Sequence, residues 1–278
     1  LLGAFICGFC VCMLNTVVNP MLNLLGGGGN KGNQLIQIGG TLNSLTGTLT
    51  PLLVGVLIGQ VTAETSMSNV APLLFIGIGI FILSFVIISF VAIPEPQANT
   101  GNKKFEHSPL AFRHCLLGVI AIFFYVGVEI GIPAQLNFYI TNLGFEGSAA
   151  IGGTLAASYW FLMLIGRASS SIISGKISTS AQMTAVSLFA IIMLLIAILM
   201  PETVTVEFKG NEIPMKCFLI AVCGLSTSVM WGGIFNLAVE GLGKYTAAAS
   251  GLFMMMVVGG GIMPLIQDFI AKATNPIT

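Results

Sequence analysis

Glu129 stands in FYVGVEIGIPAQLNFY (124–139), an apolar run with Tyr125 one helical turn before it and Pro133 one turn after. A carboxylate at hydrocarbon depth costs at least about 2.5–3.5 kcal/mol on insertion scales. Such a residue faces a polar cavity, pairs with another group, or binds a proton, an ion or a solute. Three readings stay open for Glu129: a proton or cation site, a hydrogen-bond acceptor for a polar substrate, and a structural pair with a distant polar group. Gly127 and Gly131 flank it as a GxxxG, which lets a neighbouring helix or a solute approach. Gln135 and Asn137 follow Pro133, where an unwound helix would expose them; an ordinary polar helix end accounts for them equally well.

Other residues could share a cavity with it. Asn15 and Asn19 are four apart and so lie on one helix face, and Pro20 frees a carbonyl beside them. Gln37, Thr41, Ser44 and Thr48 form a stripe with Asn43 next to it. Amides donate and accept at once, which suits sugar hydroxyls; hydrogen bonding between helices is the competing use. Trp231 and Asn236 stand in MWGGIFN (230–236), where an indole offers a flat face for sugar C–H groups or simply packs. Tyr159 and Trp160 fit packing better than cavity lining. Arg167 and Lys176, in GRASSSIISGKIS (166–178), are expected at a helix edge, as pairs locking a gate or as ordinary flanking charges. Cys7, Cys10 and Cys12 lie in an apolar run without His or carboxylate partners and read as packing residues, so no metal site is expected. There is no Walker loop, and no paired catalytic carboxylates that would mark an enzyme.

The elements that carry these residues are membrane helices. The 278 residues are 55% hydrophobic and 7% charged, against roughly 25% charged in soluble domains. Zero net charge leaves no nucleic-acid footprint. Eight apolar segments of spanning length occupy 1–24, 34–59, 70–93, 113–141, 149–173, 180–200, 215–239 and 246–271. Alternating crossings put Lys31, Lys103, Lys104, Arg113, Arg167, Lys176 and Lys244 on one side and only Lys209, Lys216 and Lys272 on the other. The positive-inside rule makes the first side, with loop 94–113, cytoplasmic. A faint repeat links NPMLNLLG (19–26) to FNLAVEGLG (235–243), and TGTLTPLLVG (46–55) to VGGGIMPLIQ (258–267). Pro51 and Pro264 are 213 residues apart, and Gly26 and Gly243 are 217 apart. Segments one and two therefore correspond to seven and eight, a period of six helices. Two six-helix halves imply twelve helices, of which three would precede this stretch and one would follow it. Repeated halves mark transporters, with the substrate site between them near the midplane.

Several motifs carry a resemblance. LNTVVNPMLNLLG (14–26) with GTLNSLTGTLTPLLVG (40–55) resembles helices four and five of the fucose–galactose–hexuronate sugar symporters of the major facilitator superfamily. FYVGVEIGI (124–132) is similar to helix seven, GRASSSIISGK (166–176) to the helix eight–nine connection, and MWGGIFNLAVEGLGKYTAAASG (230–251) with GGGIMP (259–264) to helices ten and eleven. The resemblance implies an all-α polytopic fold, here incomplete: 1–93 as helices four to six of the N-terminal half, 94–113 as the central loop, 114–278 as helices seven to eleven of the C-terminal half. It implies a secondary transporter of a hexose or deoxyhexose in the inner membrane, coupled to H+ or Na+. No cofactor is expected, and the expected partners are the sugar and the lipid bilayer, with the protein as a monomer. Asn43 takes the place of the family's sugar-contacting helix-five amide. The expected contacts are Asn43 and Glu129, with Asn19, Gln135, Trp231 and Asn236, and Glu129 doubles as the coupling residue. Two departures stand out. A helix-four carboxylate that serves coupling in a member of the family is matched by Asn15, which cannot take a proton, so coupling falls to Glu129 or to a helix-one carboxylate outside this stretch. NSLTG replaces the family's NS followed directly by Gly. A sugar sensor that no longer transports and a drug exporter on the same fold are the rivals.

Overall fold

A computed structural model describes residues 2–57, 66–92 and 106–274. Helices α1 (Leu2–Leu25), α2 (Gly29–Leu57) and α3 (Met67–Phe90) precede the central loop. After it come α4 (Arg113–Asn142), α5 (Ser148–Ile173), α6 (Thr179–Leu199), a hairpin of β1 (Thr205–Phe208) and β2 (Asn211–Pro214), then α7 (Met215–Val222), α8 (Gly224–Val239), α9 (Thr246–Met256) and α10 (Gly259–Thr274). The pairs α7–α8 and α9–α10 each make one crossing with a break, so the eight expected segments are present as helices. Seven stretches among the described residues are long and apolar enough to cross a membrane. α2 has the length, but its amides, threonines and glycines dilute its hydropathy. Most of loop 94–113, with Lys103 and Lys104, lies outside the described residues.

Contacts divide the chain into Leu1–Ser44 with Lys103–Thr278, and Leu45–Asn102. In the second unit, α3 starts after Ser66, which is extended, and exposes Phe75, Phe81, Phe85 and Phe90 as a helix in lipid does. The first unit holds the core. Val119, Ile122 and Val126 of α4 pack with Phe235, Ala238 and Val239 of α8 and with Phe253 of α9, whose ring meets Phe235 edge-on at 5.5 Å. A smaller cluster joins Leu136 and Ile140 of α4 to Leu155 of α5 and Cys217 and Ala221 of α7.

Two local details stand out. α4 runs unbroken through Pro133, so Gln135 and Asn137 stay helical. The proline still lacks the N–H that would bond the carbonyl four residues back, that of Glu129. The acid-rich loop 201–216 folds into an antiparallel hairpin with Thr205 opposite Pro214; Lys209 and Gly210 turn it with φ of 53° and 78°, the left-handed pair a tight hairpin demands.

Glycines set the closest approaches. A Cβ at Gly259 would strike the Phe123 carbonyl, lying 2.8 Å from its carbon. Backbone cannot swing aside as a side-chain tip can. Gly259→Ala is therefore expected to destabilise the α4–α10 pair by about 1–3 kcal/mol, read as a lower unfolding temperature in detergent; an unchanged melt would show that the helices can separate freely.

Candidate functional site

Glu129 and Tyr125 are one turn apart on α4, and the Tyr125 hydroxyl lies 2.7 Å from Glu129 Oε1 and 3.0 Å from the Thr227 carbonyl of α8. The same carboxylate oxygen accepts a bond of 3.0 Å from Nη2 of Arg167 on α5. Both side chains are buried, 11% exposed for the acid and 8% for the base. The rest of the guanidinium reaches outward from this pair. Nη1 donates to Ser44 Oγ at 2.7 Å and to the Gly40 carbonyl at 3.3 Å, both on α2, and Nε donates to the Ser228 carbonyl at 3.4 Å. Gly40 makes room for this: a Cβ there would touch Arg167 Cδ at 3.4 Å. Tyr159 of α5, fully buried, closes the cluster through the Thr227 hydroxyl at 2.9 Å. Thr227 and Ser228 hold α8 against α5 where Gly166 lets the helices meet.

Arg167 is a correction to the sequence reading. It is not at a helix edge but six residues inside α5 from Ile173, and buried. Only Lys176 of the expected gate pair is exposed at that end. The structural-pair reading of Glu129 thus has its partner, 38 residues away, and the pair joins helices from both sides of the central loop.

Arg167 is the deepest rung of a seam. Going down α2 one turn at a time, Gln37 donates to the Val229 carbonyl at 3.0 Å, and Asn33 donates to Ser174 Oγ at 3.3 Å. The face that α2 turns to α5 and α8 therefore runs Asn33–Gln37–Gly40–Ser44, while Thr41 bonds its own Gln37 carbonyl. On α1, Asn23 donates to Asn236 Oδ1 at 2.7 Å, and Asn236 in turn donates to Thr179 Oγ1 at 3.0 Å. Asn23 and Asn236 are 213 residues apart in the chain. Asn236, expected at substrate, instead has both ends of its amide in this seam. Asn236→Ala would strand Asn23 and Thr179 together; burying such groups unpaired costs about 1–3 kcal/mol, so this variant is expected to melt lower than Asn23→Ala/Asn236→Ala. The reverse order would show that the rung is immaterial.

The remaining residues scatter. Trp231 is half-buried with its ring 6.3 Å from that of Tyr125, so it adjoins the Glu129 cluster. Asn43 is exposed, next in sequence to Ser44. Asn19 is buried and donates to the Asn15 carbonyl at 3.0 Å. Gln135 is not with Glu129: it lines a separate cavity of about 730 Å³ with Tyr139, Glu202, Lys216 and Gln267. There the Lys216 ammonium pairs with Glu202 and holds that carboxyl below its usual range. Sequence reasoning missed Asn23, Thr179, Thr227 and Ser228. The signal available for Asn23 was its place one turn past Asn19 on the same helix face.

The described residues form a bundle of membrane helices that meet along a polar seam around a buried ion pair. The family model of the Major Facilitator Superfamily matches residues 1–264, and the chain belongs to that superfamily. It is 29% identical over 281 residues to a glucose/galactose transporter of Brucella abortus (strain 2308), covering 98% of this chain and 65% of the relative. It is 23% identical over 305 residues to the L-fucose-proton symporter of Escherichia coli (strain K12), covering 100% of this chain and 66% of that one. The fold matches the crystal structure of the transporter FucP in its outward conformation with a TM-score of 0.76 at 20% identity, over 94% of this chain and 66% of that one. The chain spans about two thirds of the length of these relatives. It is a multi-pass membrane protein, and the sugar-symporter motifs of its sequence agree with the names of the relatives.

Proposed function

We propose that the protein moves a hexose or deoxyhexose across the inner membrane in symport with a proton, by alternating access. The observation that carries this is the buried Glu129–Arg167 pair, because it ties a titratable group to the joint between the two sides of the bundle. Sugar binds between the halves, against Trp231, with Asn43 and Asn19 as amide contacts and Glu129 as the coupling acid. Gln135 sits apart in its own cavity and is the weakest of the expected contacts. The seam closes the end that carries the 174–178 and 240–245 turns, the side expected to be cytoplasmic. This arrangement corresponds to the outward-facing state, and transport requires the seam to part.

Uptake of labelled glucose, galactose and fucose by the full-length protein in liposomes tests the reading. Accumulation driven by an inward proton gradient is the expected result. Binding without accumulation would make the protein a sensor, and competition by lipophilic cations with no sugar uptake would make it a drug exporter. A sodium gradient that drives uptake while a proton gradient does not would replace the proton with sodium.

A further inference from the structure

We infer that the cavity between α4, α6 and α7 is a site for one phospholipid with a zwitterionic headgroup: Lys216 takes its phosphate, Glu202 takes its ammonium, and an acyl chain fills the apolar space beneath them. The inference goes beyond the transport reading and does not depend on it.

The cavity of about 730 Å³ lies within the first unit. Its walls are apolar for most of their depth: Ile132 and Leu136 of α4, Leu194 and Ile198 of α6, and Ile220 of α7. Gln267 of α10 closes the floor, its amide lying where a Cβ on Gly131 would be. Ile198 and Leu199, at the rim, are 76% and 80% exposed, as side chains that face lipid are.

The charges stand at one end of this space. α6 ends at Leu199 and α7 begins at Met215, so Glu202 and Lys216 are where the crossings end, the depth of the headgroups. The two are not placed alike. The Lys216 side chain is 20% exposed and that of Glu202 is 74% exposed, so the base is inside and the acid outside. The Lys216 ammonium also lies 5.2 Å from the centre of the Tyr139 ring, against the cavity wall. In a zwitterionic phospholipid the phosphate is bonded to the glycerol and the ammonium is the outermost group. The order of charges in the protein is the complement of that order.

An ion pair as exposed as Lys216–Glu202 adds little to the fold, and both partners have capacity left. An ammonium has three donors and a carboxylate about four acceptor positions. A lipid phosphate and ammonium can join the pair without breaking it. An anionic headgroup would meet Glu202 with no ammonium to answer it. One turn further in than Tyr139, about 6 Å along α4, the Gln135 amide has no hydrogen-bond partner among the described residues. That is the level of the lipid ester carbonyls, which accept what its Nε2 donates.

Full-length protein in phosphatidylglycerol nanodiscs, carrying a minor fraction of phosphatidylethanolamine with a diazirine in mid-chain, tests the site by irradiation and peptide mapping. Helix α3, with Phe75, Phe81 and Phe85 exposed, reports bulk lipid in the same molecule. Labelling per residue is expected to be about tenfold higher on 194–199 and 216–220 than on α3, the scale of two surface charges. Replacing part of the phosphatidylglycerol by unlabelled phosphatidylethanolamine should remove that excess and leave α3 unchanged. Glu202→Lys with Lys216→Glu keeps an ion pair but reverses its order, and is expected to lose the excess. Ala197→Phe fills the cavity beneath an intact pair and should lose it too. Unchanged labelling of α3 and a single size-exclusion peak establish that each variant is folded. Labelling of α6 and α7 no higher than that of α3 in wild type would overturn the site. So would an excess that survives the charge reversal, because a pair that only braces the fold is indifferent to which partner is outermost.

Discussion

Glu129→Gln is expected to abolish proton-driven sugar accumulation while equilibrium exchange of labelled for unlabelled sugar persists. Glutamine keeps the size of the side chain and an oxygen that can accept from Tyr125 and Arg167, so the local bonds to α4, α5 and α8 can survive. What it loses is the ability to carry a proton. A proton falling through about 100 mV releases about 2.3 kcal/mol. At one proton per sugar that sustains roughly fortyfold accumulation of a neutral sugar. The variant should fall to simple equilibration, a loss of that whole factor. Measured as the inside-to-outside ratio of labelled sugar under an imposed gradient, unchanged accumulation would remove Glu129 from coupling and pass the role to another carboxylate.

The second large effect falls on stability. Arg167→Met leaves the Glu129 carboxylate buried against Tyr125 with no cation, and removing one member of a buried pair typically costs about 3–5 kcal/mol. Replacing both members, Glu129→Leu with Arg167→Met, removes the charge as well as its partner, and such swaps are often neutral or stabilising. The single variant is therefore expected to melt well below wild type in detergent, and the double variant to recover most of the loss. Equal losses in the two would mean that the side chains contribute by packing and not as an ion pair. The bonds to Ser44 and Ser228 are also lost in both variants, which is why recovery should be incomplete.

How much of this was legible in the sequence depends on the range of the interaction concerned. Helices were legible, because about 20 apolar residues in a row have few other uses. Glu129 was legible because a lone acid in such a run is costly. Its partner was not: Arg167 follows Gly166 and precedes a run of small residues, a composition that looks like the approach to a helix end, and nothing local marks a contact across 38 residues. Asn236 was read as a sugar ligand because an amide beside a tryptophan suits a sugar; its two bonds to Asn23 and Thr179 depend on how α1, α6 and α8 pack. The repeat did not help here, since its offset of 217 at Gly26 and Gly243 sets Asn19, not Asn23, opposite Asn236. At Pro133 the sequence left two readings open, an unwound helix and an ordinary polar end. The packing of α4 against its neighbours keeps the helix continuous, and the proline's effect is confined to the carbonyl of Glu129.

The most direct test of the account is the movement of protons with sugar. Full-length protein in lightly buffered liposomes, with no imposed gradient, is given glucose, galactose or fucose while external pH is followed. The account predicts that the transported sugar alkalinises the medium as protons enter with it, and that Glu129→Gln exchanges the same sugar with no pH change. Sugar entry without proton movement in wild type, or proton movement that continues in Glu129→Gln, would contradict it.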